Sequence, residues 1–300
     1  RLTVKCNRCS IRRRIVDFLF PLFQVYEAGK IVKFSVLRSG SSGNCTLITE
    51  GDCRILIDAG MSQKRIGEVL NEAGTEPQDL DAIVITHLHS DHFNYSTLRV
   101  CLKNNISLWV HERNLPILQA SFRKEHLKQL SLGCYSDKKF KIGSFLLQPF
   151  EISHDADEVT SGFNISPVGA KEKYLAYASD LGHFPDTLIP YFRDSRAIVI
   201  ESNHDPDLLW KNPNRPYLHK KRVTGEQGHL SNYQAADALV RTIRSSSRTP
   251  EMVVLCHLSR DHNTPELAVR TVSTLLDKEG ICTSLHVAQR QAATPVFEIN

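Results

Sequence analysis

The 300-residue chain has no apolar run approaching the roughly eighteen residues that a membrane-spanning helix needs, so no part of it is expected to cross a bilayer. It also lacks a cysteine framework. Cys6, Cys9, Cys45, Cys53, Cys101, Cys134, Cys256 and Cys282 are scattered through a chain long enough to build a core unaided. This excludes a small disulfide-stapled scaffold and points to reduced thiols in a cytoplasm. Residues 32–300 contain no repeat, low-complexity tract or linker, which favours one domain over two. A charge surplus is missing too. The formal net charge of +4 arises in residues 1–31, where seven Lys/Arg stand against Asp17 and Glu27, and the remainder carries −1. Affinity for nucleic acid would therefore have to rest on a local patch.

Residues 1–31 read as an extension outside the fold, with Val32 as an alternative start. Arg12 to Arg14 followed by "IVDFLFPLF" imitates a signal peptide, but Asp17 and Pro21 interrupt it, and "CNRC" (Cys6 to Cys9) is half a zinc ribbon without a partner pair. From residue 33 short β-rich runs alternate with helical stretches. Strands are expected at 33–38, 45–50, 54–58, 82–86, 107–110, 144–150, 174–178, 197–201 and 252–256, and helices at 62–73, 233–244 and 265–276. Two sheets flanked by helices in a single α/β domain over 32–300 follow from this alternation.

Polar residues gather where the apolar runs stop. "ITHLHSDHFN" sets His87, His89, Asp91 and His92 within six positions after a buried strand, too many unpaired polar groups for a structural role alone. His87 and His89, two apart on an extended loop, can face one ion; Asp91 and His92, after the turn, can face a second. Further strand ends supply "EISHDA" (His154), "YASDLGH" (Asp180), "VIESNHD" (Glu201, His204), "GHLSN" (His229) and "LCHLSRDHN" (His257). Of these, His154, Asp180 and His257 complete two ligand sets, and the two oxygens of Asp180 suit it to bridge. His111, His126, His183, His219 and His286 are read as ordinary core or surface histidines.

"THLHSDH" resembles the HxHxDH signature of the metallo-β-lactamase superfamily, whose remaining ligands follow in the order His154, Asp180, His257. The resemblance implies an αββα sandwich with one ion on His87, His89 and His154, the other on Asp91, His92 and His257, and Asp180 between them. "FSVLRSGSSGNCTLI", "ILIDAGMSQKRI", "SHDA", "ESNHD", "GHLSN" and "HLSRDHNTPELA" resemble the YycJ/WalJ group of that superfamily from Val32 to about Val287. That group implies metal-dependent 5′ to 3′ exonuclease action on double-stranded DNA. His262 departs from it, standing where the group often has Asn. Glu201 and His229 also match the Glu–His pair of the tRNA 3′-processing enzymes of this fold, although the tRNA-gripping arm of those enzymes has no counterpart here.

The expected chemistry is phosphodiester hydrolysis by two divalent ions, Zn²⁺ or Mn²⁺, with Asp91, Glu201 and His229 as catalytic residues. Water between two cations loses its proton near neutral pH, and His229, polarised by Glu201, protonates the departing oxygen. Ser41 and Asn44 in "RSGSSGN", His204 beside Asn203, and Lys220, Lys221 and Arg222 in "WKNPNRPYLHKKRVT" are candidate substrate contacts, the last three on an expected exposed loop. DNA is the expected substrate. Alternatives are a tRNA 3′-processing endonuclease, a lactone or thioester hydrolase of the same fold, and a non-catalytic metal-stabilised nucleic-acid-binding protein.

Overall fold

In the computed structural model, which describes residues 30–300 other than residue 157, the short apolar runs become two seven-stranded sheets. The strands are β1 (Val32–Arg38), β2 (Cys45–Glu50), β3 (Cys53–Ile57), β4 (Ala82–Val84), β5 (Ser107–His111), β6 (Leu132–Tyr135), β7 (Phe140–Ile142), β8 (Phe145–Ile152), β9 (Thr160–Pro167), β10 (Lys173–Ala178), β11 (Ser195–Glu201), β12 (Met252–Cys256), β13 (Ser284–Val287) and β14 (Phe297–Ile299). One sheet runs β14-β1-β2-β3-β4-β5-β6, the other β13-β12-β11-β10-β9-β8-β7. The expectations about Cys6, Cys9 and Arg12 to Arg14 lie outside the described residues, and the compact unit runs from Ile31 to Asn300.

Residue alternation divides each strand between two cores. Ile55 and Ile57, with Phe34 and Val84, meet Phe163, Leu175, Val199 and Val254 of the facing sheet. Leu56 and Ile83 point outward, against the helices Gln63–Glu72 and Tyr95–Asn104. Ile198, Ile200, Val253 and Leu255 do the same beneath Asn232–Arg244 and Pro265–Lys278. This is an αββα sandwich. Its strands are apolar on both faces because both faces are covered, which is why they read as unbroken runs. Among the described residues no helix is long and apolar enough to cross a membrane.

The expected strands and helices are present, most with shifted ends, and further elements were not expected. β9, "TSGFNISP", sits in the middle of its sheet between β8 and β10 although its composition argues against a strand. Gly162 is required there: a Cβ would come within 2.3 Å of the Phe150 ring. The expected exposed loop after Trp210 is instead largely helical, with Pro206–Lys211 and Tyr217–Val223. Proline at the start of the first helix and just before the second sets the backbone angle at which a helix begins.

β3 to β6 are mutually parallel, as are β10 to β13; β8 and β10 both pair antiparallel with β9 and so share a direction. The carboxyl ends of β3, β4, β8, β10, β11 and β12 feed the polar segments that converge in the site.

Candidate metal centre

Asp58, just past β3, anchors the histidine loop from behind. Its side chain accepts from the Thr86 amide (2.9 Å) and hydroxyl (2.9 Å), and its Oδ2 lies 2.7 Å from His92 Nδ1. Thr86 Oγ1 also lies 3.0 Å from His87 Nδ1. Both rings are thereby held through Nδ1, which leaves Nε2 to face forward. Sequence reading assigned no role to Asp58 or Thr86; the available signal was a carboxylate closing the apolar run "ILID". The turn of the loop is shaped by close approach, since a Cβ on Gly60 would stand 1.9 Å from the carbonyl carbon of Asp91.

Glu201 plays the same part on the second sheet. It is fully buried at the end of β11. Its Oε2 accepts from the Leu181 and Leu230 amides (2.8 and 3.1 Å), and its Oε1 lies 2.8 Å from His229 Nδ1 and 2.7 Å from His257 Nδ1. With both oxygens engaged, Glu201 orients two rings. Asn203 donates to the His257 carbonyl at 2.7 Å, and the His257 amide donates to Ser39 Oγ at 2.7 Å. Asp58, Asp180 and His257 all have positive φ (60°, 52° and 54°), a left-handed turn at the strand end that non-glycine residues adopt at some energetic cost.

These supports bring the strand ends together. His87, His89 and His154 form one group whose ligand atoms lie within 4.8 Å of one another, and Asp91, His92 and His257 form another. Asp180 reaches both: its Oδ1 is 3.9 Å from His154 Nε2 and 3.0 Å from His257 Nδ1, and its Oδ2 approaches His92 Nε2 to 2.8 Å off hydrogen-bond geometry. His87 Nε2 and His257 Nε2 are buried without a hydrogen-bond partner.

The electrostatics fit a cation. Burial holds the His87 and His154 rings below their ordinary range. Burial also opposes charge on His92 and His257, yet the carboxylates around them outweigh it: Asp180 and Asp58 hold His92 well above its usual value, and Asp180, Asp91 and Glu201 push His257 up to about 10. Despite burial, the neighbouring imidazoles bring Glu201 down to about 2 and keep Asp180 well below the carboxylate range. Divalent ions held by these ring nitrogens would supply the positive charge that the surrounding carboxylates favour.

The substrate candidates separate. Ser41 is exposed on the Gly/Ser turn. Asn44 is buried, its Nδ2 lying 2.8 Å from His92 Nε2 and 3.3 Å from Asp91 Oδ2, so its amide sits directly beside the second ligand group. His204 is buried with Nδ1 unpartnered, and burial lowers its ring to about 4. Lys220 leaves the expected rim: its stem is buried and its Nζ donates to the Trp210 carbonyl at 2.9 Å. Arg222 pairs with Asp155, beside His154, while Lys221 stands exposed over the Tyr217 ring. His262 holds loops, contacting Asn212 Nδ2 at 3.0 Å and Ser259 Oγ at 3.3 Å.

Residues 53–258 match the family model described as the beta-lactamase superfamily domain. The chain is 30% identical over 276 residues to the exodeoxyribonuclease WalJ of Streptococcus pneumoniae, covering 89% of this chain and 98% of that one. It is 29% identical over 248 residues to the exodeoxyribonuclease YycJ of Bacillus anthracis, covering 82% and 90%. Among solved structures, the metallo-β-lactamase fold protein YhfI of Bacillus subtilis superimposes with a TM-score of 0.65 at 15% identity, over 89% of this chain and 99% of that one. Fold, family model and full-length relatives agree: the chain belongs to the metallo-β-lactamase superfamily and is a metal-dependent hydrolase of that fold.

Proposed function

We propose that the protein is a nuclease that uses two divalent ions, Zn²⁺ or Mn²⁺, to cleave phosphodiester bonds, acting as an exonuclease on duplex DNA. The observation that carries this reading is the Glu201–His229 pair at 2.8 Å beside the ligand groups, in a chain similar almost throughout to two exodeoxyribonucleases. His87, His89 and His154 would hold one ion, Asp91, His92 and His257 the other, and Asp180 would link them. When bound, such ions generate a nucleophile from water at neutral pH and neutralise charge on the phosphate. His229 then supplies the acid. Burial opposes its charge, but Glu201 outweighs it and raises the ring above its ordinary range, which favours the proton-bearing form that an acid needs. Its Nδ1 proton is held by Glu201, which leaves the Nε2 proton for the departing oxygen. Free cysteines at Cys45, Cys101 and Cys256 support a cytoplasmic setting.

The test is a substrate panel: metal-loaded protein is offered 5′-phosphorylated duplex DNA, single-stranded DNA, precursor tRNA and a thioester. Progressive shortening of the duplex is expected. Preferential thioester cleavage, or precise endonucleolytic cutting of the tRNA, would replace this reading.

DNA needs a binding surface on a body of charge −1. The helix Tyr217–Val223 offers one, because its last turn abuts the His229 loop through the His229 amide and Val223 carbonyl at 2.9 Å. Tyr217 and Leu218 are 61% and 78% exposed, and Lys221 lies 5.8 Å from the Tyr217 ring, an aromatic and basic pair suited to a base and its phosphate. Tyr217→Ala/Lys221→Ala is expected to raise KM for DNA with kcat nearly unchanged, and to reduce the log–log salt slope by about 0.9, the share of one phosphate that the ammonium no longer neutralises. Steady-state rates at several salt concentrations check this, and an unaltered slope would reject the helix as the rim.

A further inference from the structure

The Gly/Ser turn, the loop after β12 and the segment before β14 line an open cleft of about 810 Å³. Ser39, Ser41 and Ser42 line it with hydroxyls, and Arg260 and Arg290 bring two guanidinium groups to it. The cleft is coupled to the candidate metal centre, because Ser39 Oγ receives the His257 amide at 2.7 Å.

The arginines lack the partners that such groups normally find. Among the described residues no carboxylate forms a salt bridge with either, whereas most other arginines have one, Arg38, Arg196, Arg215, Arg222 and Arg241 among them. The neighbouring Asp261 is drawn off by Arg215, whose Nε donates to it at 3.0 Å. Glu266 is the one acid in the lining. Arg290 is half-buried, and its stem packs over Gly40, where an added Cβ would meet its Cγ at 3.0 Å. Burial first, and then the like charge of Arg260, lower its guanidinium from the ordinary range. Two arginines that no carboxylate pairs in a salt bridge, sharing a cleft with serines, suit an anion with several acceptor oxygens.

We propose that Arg260 and Arg290, with Ser41 and Ser42, form a subsite for a phosphate group of the nucleic-acid strand being cleaved, either its terminal phosphate or one of its backbone phosphates. The assignment rests on the nuclease reading above and adds a positioning element to it: a phosphate held here fixes how far the strand advances past the metal centre. Guanidinium groups suit this task through their paired N–H donors, and the hydroxyls complete the coordination of the phosphate oxygens.

The experiment compares wild type with Arg260→Gln/Arg290→Gln, both metal-loaded, on duplexes bearing a 5′-phosphate or a 5′-hydroxyl. KM is expected to rise roughly tenfold or more for each arginine removed while kcat is held, with the salt slope falling by about 0.9 per arginine. A rise confined to the phosphorylated duplex identifies the terminal phosphate, and a rise on both identifies a backbone phosphate. Binding is read separately, by fluorescence anisotropy of a labelled duplex with cleavage-resistant phosphorothioate linkages. Arginine-dependent binding without cleavage by the wild type would sink the nuclease reading and keep the subsite. Cleavage with arginine-independent KM and binding would sink the subsite alone. Should the double variant fail to fold, Arg260→Glu, at an exposed position, carries the same comparison.

Discussion

Asp180→Ala is expected to lose both catalysis and the paired loading of metal. The residue is 2% exposed, and its oxygens reach toward His154 on one side and toward His92 on the other. The neighbouring carboxylates are not free to replace it. Asp58 is committed to Thr86 and His92, and Glu201 to two amides and two imidazoles. Removal would also take a carboxylate from beside His92 and His257 and from beside His154, disturbing both ligand groups. DNA cleavage should fall to the background of the assay, by at least ~10³-fold on the scale of lost electrostatic stabilisation at such centres. Elemental analysis should find fewer than two ions per chain. An active variant that retains two ions would refute the linking role.

His229→Ala is expected to behave differently, keeping its metals while kcat falls by ~10²–10³, the scale of a lost general acid. The ring is partly exposed and is held by Glu201, so removing it strips no atom from the two ligand groups, His87, His89 and His154 or Asp91, His92 and His257. Glu201 would keep His257 and both amides as partners, and the loss should therefore appear in turnover before it appears in stability. The chemical signature is selective rescue. A leaving group of low pKa departs without a proton, so the variant should hydrolyse a nitrophenyl phosphodiester at close to the wild-type rate while its cleavage of DNA is severely impaired. If both substrates lose rate by the same factor, His229 is not the acid.

Where the chemistry depends on neighbours in the chain, the sequence by itself determined it. "THLHSDH" places four polar side chains directly after a buried strand, and the apolar runs ending in His154, Asp180, Glu201 and His257 mark strand ends because a chain leaving a covered sheet must meet polar surroundings there. The same local periodicity specifies the helices around Ile66 and Leu239. Only the tertiary structure decided which strand ends meet. Strand order and register bring His87 and His257 together across 170 positions, and no local pattern encodes that pairing. Asp58 was the last residue of an expected strand and nothing more until β3 and β4 lay side by side. Lys220 looked like part of a basic rim until its helix turned the ammonium back onto Trp210. β9 escaped notice because its place comes from the neighbours on either side and not from its own propensity. Arg260 and Arg290 sit in separate loops 30 positions apart, and they acquire a shared environment only when β12 and β14 return to the edge that carries the Gly/Ser turn. Short-range sterics and solvation act on a few adjacent residues and can be read from the sequence; convergence in space is set by the packing of the whole sandwich.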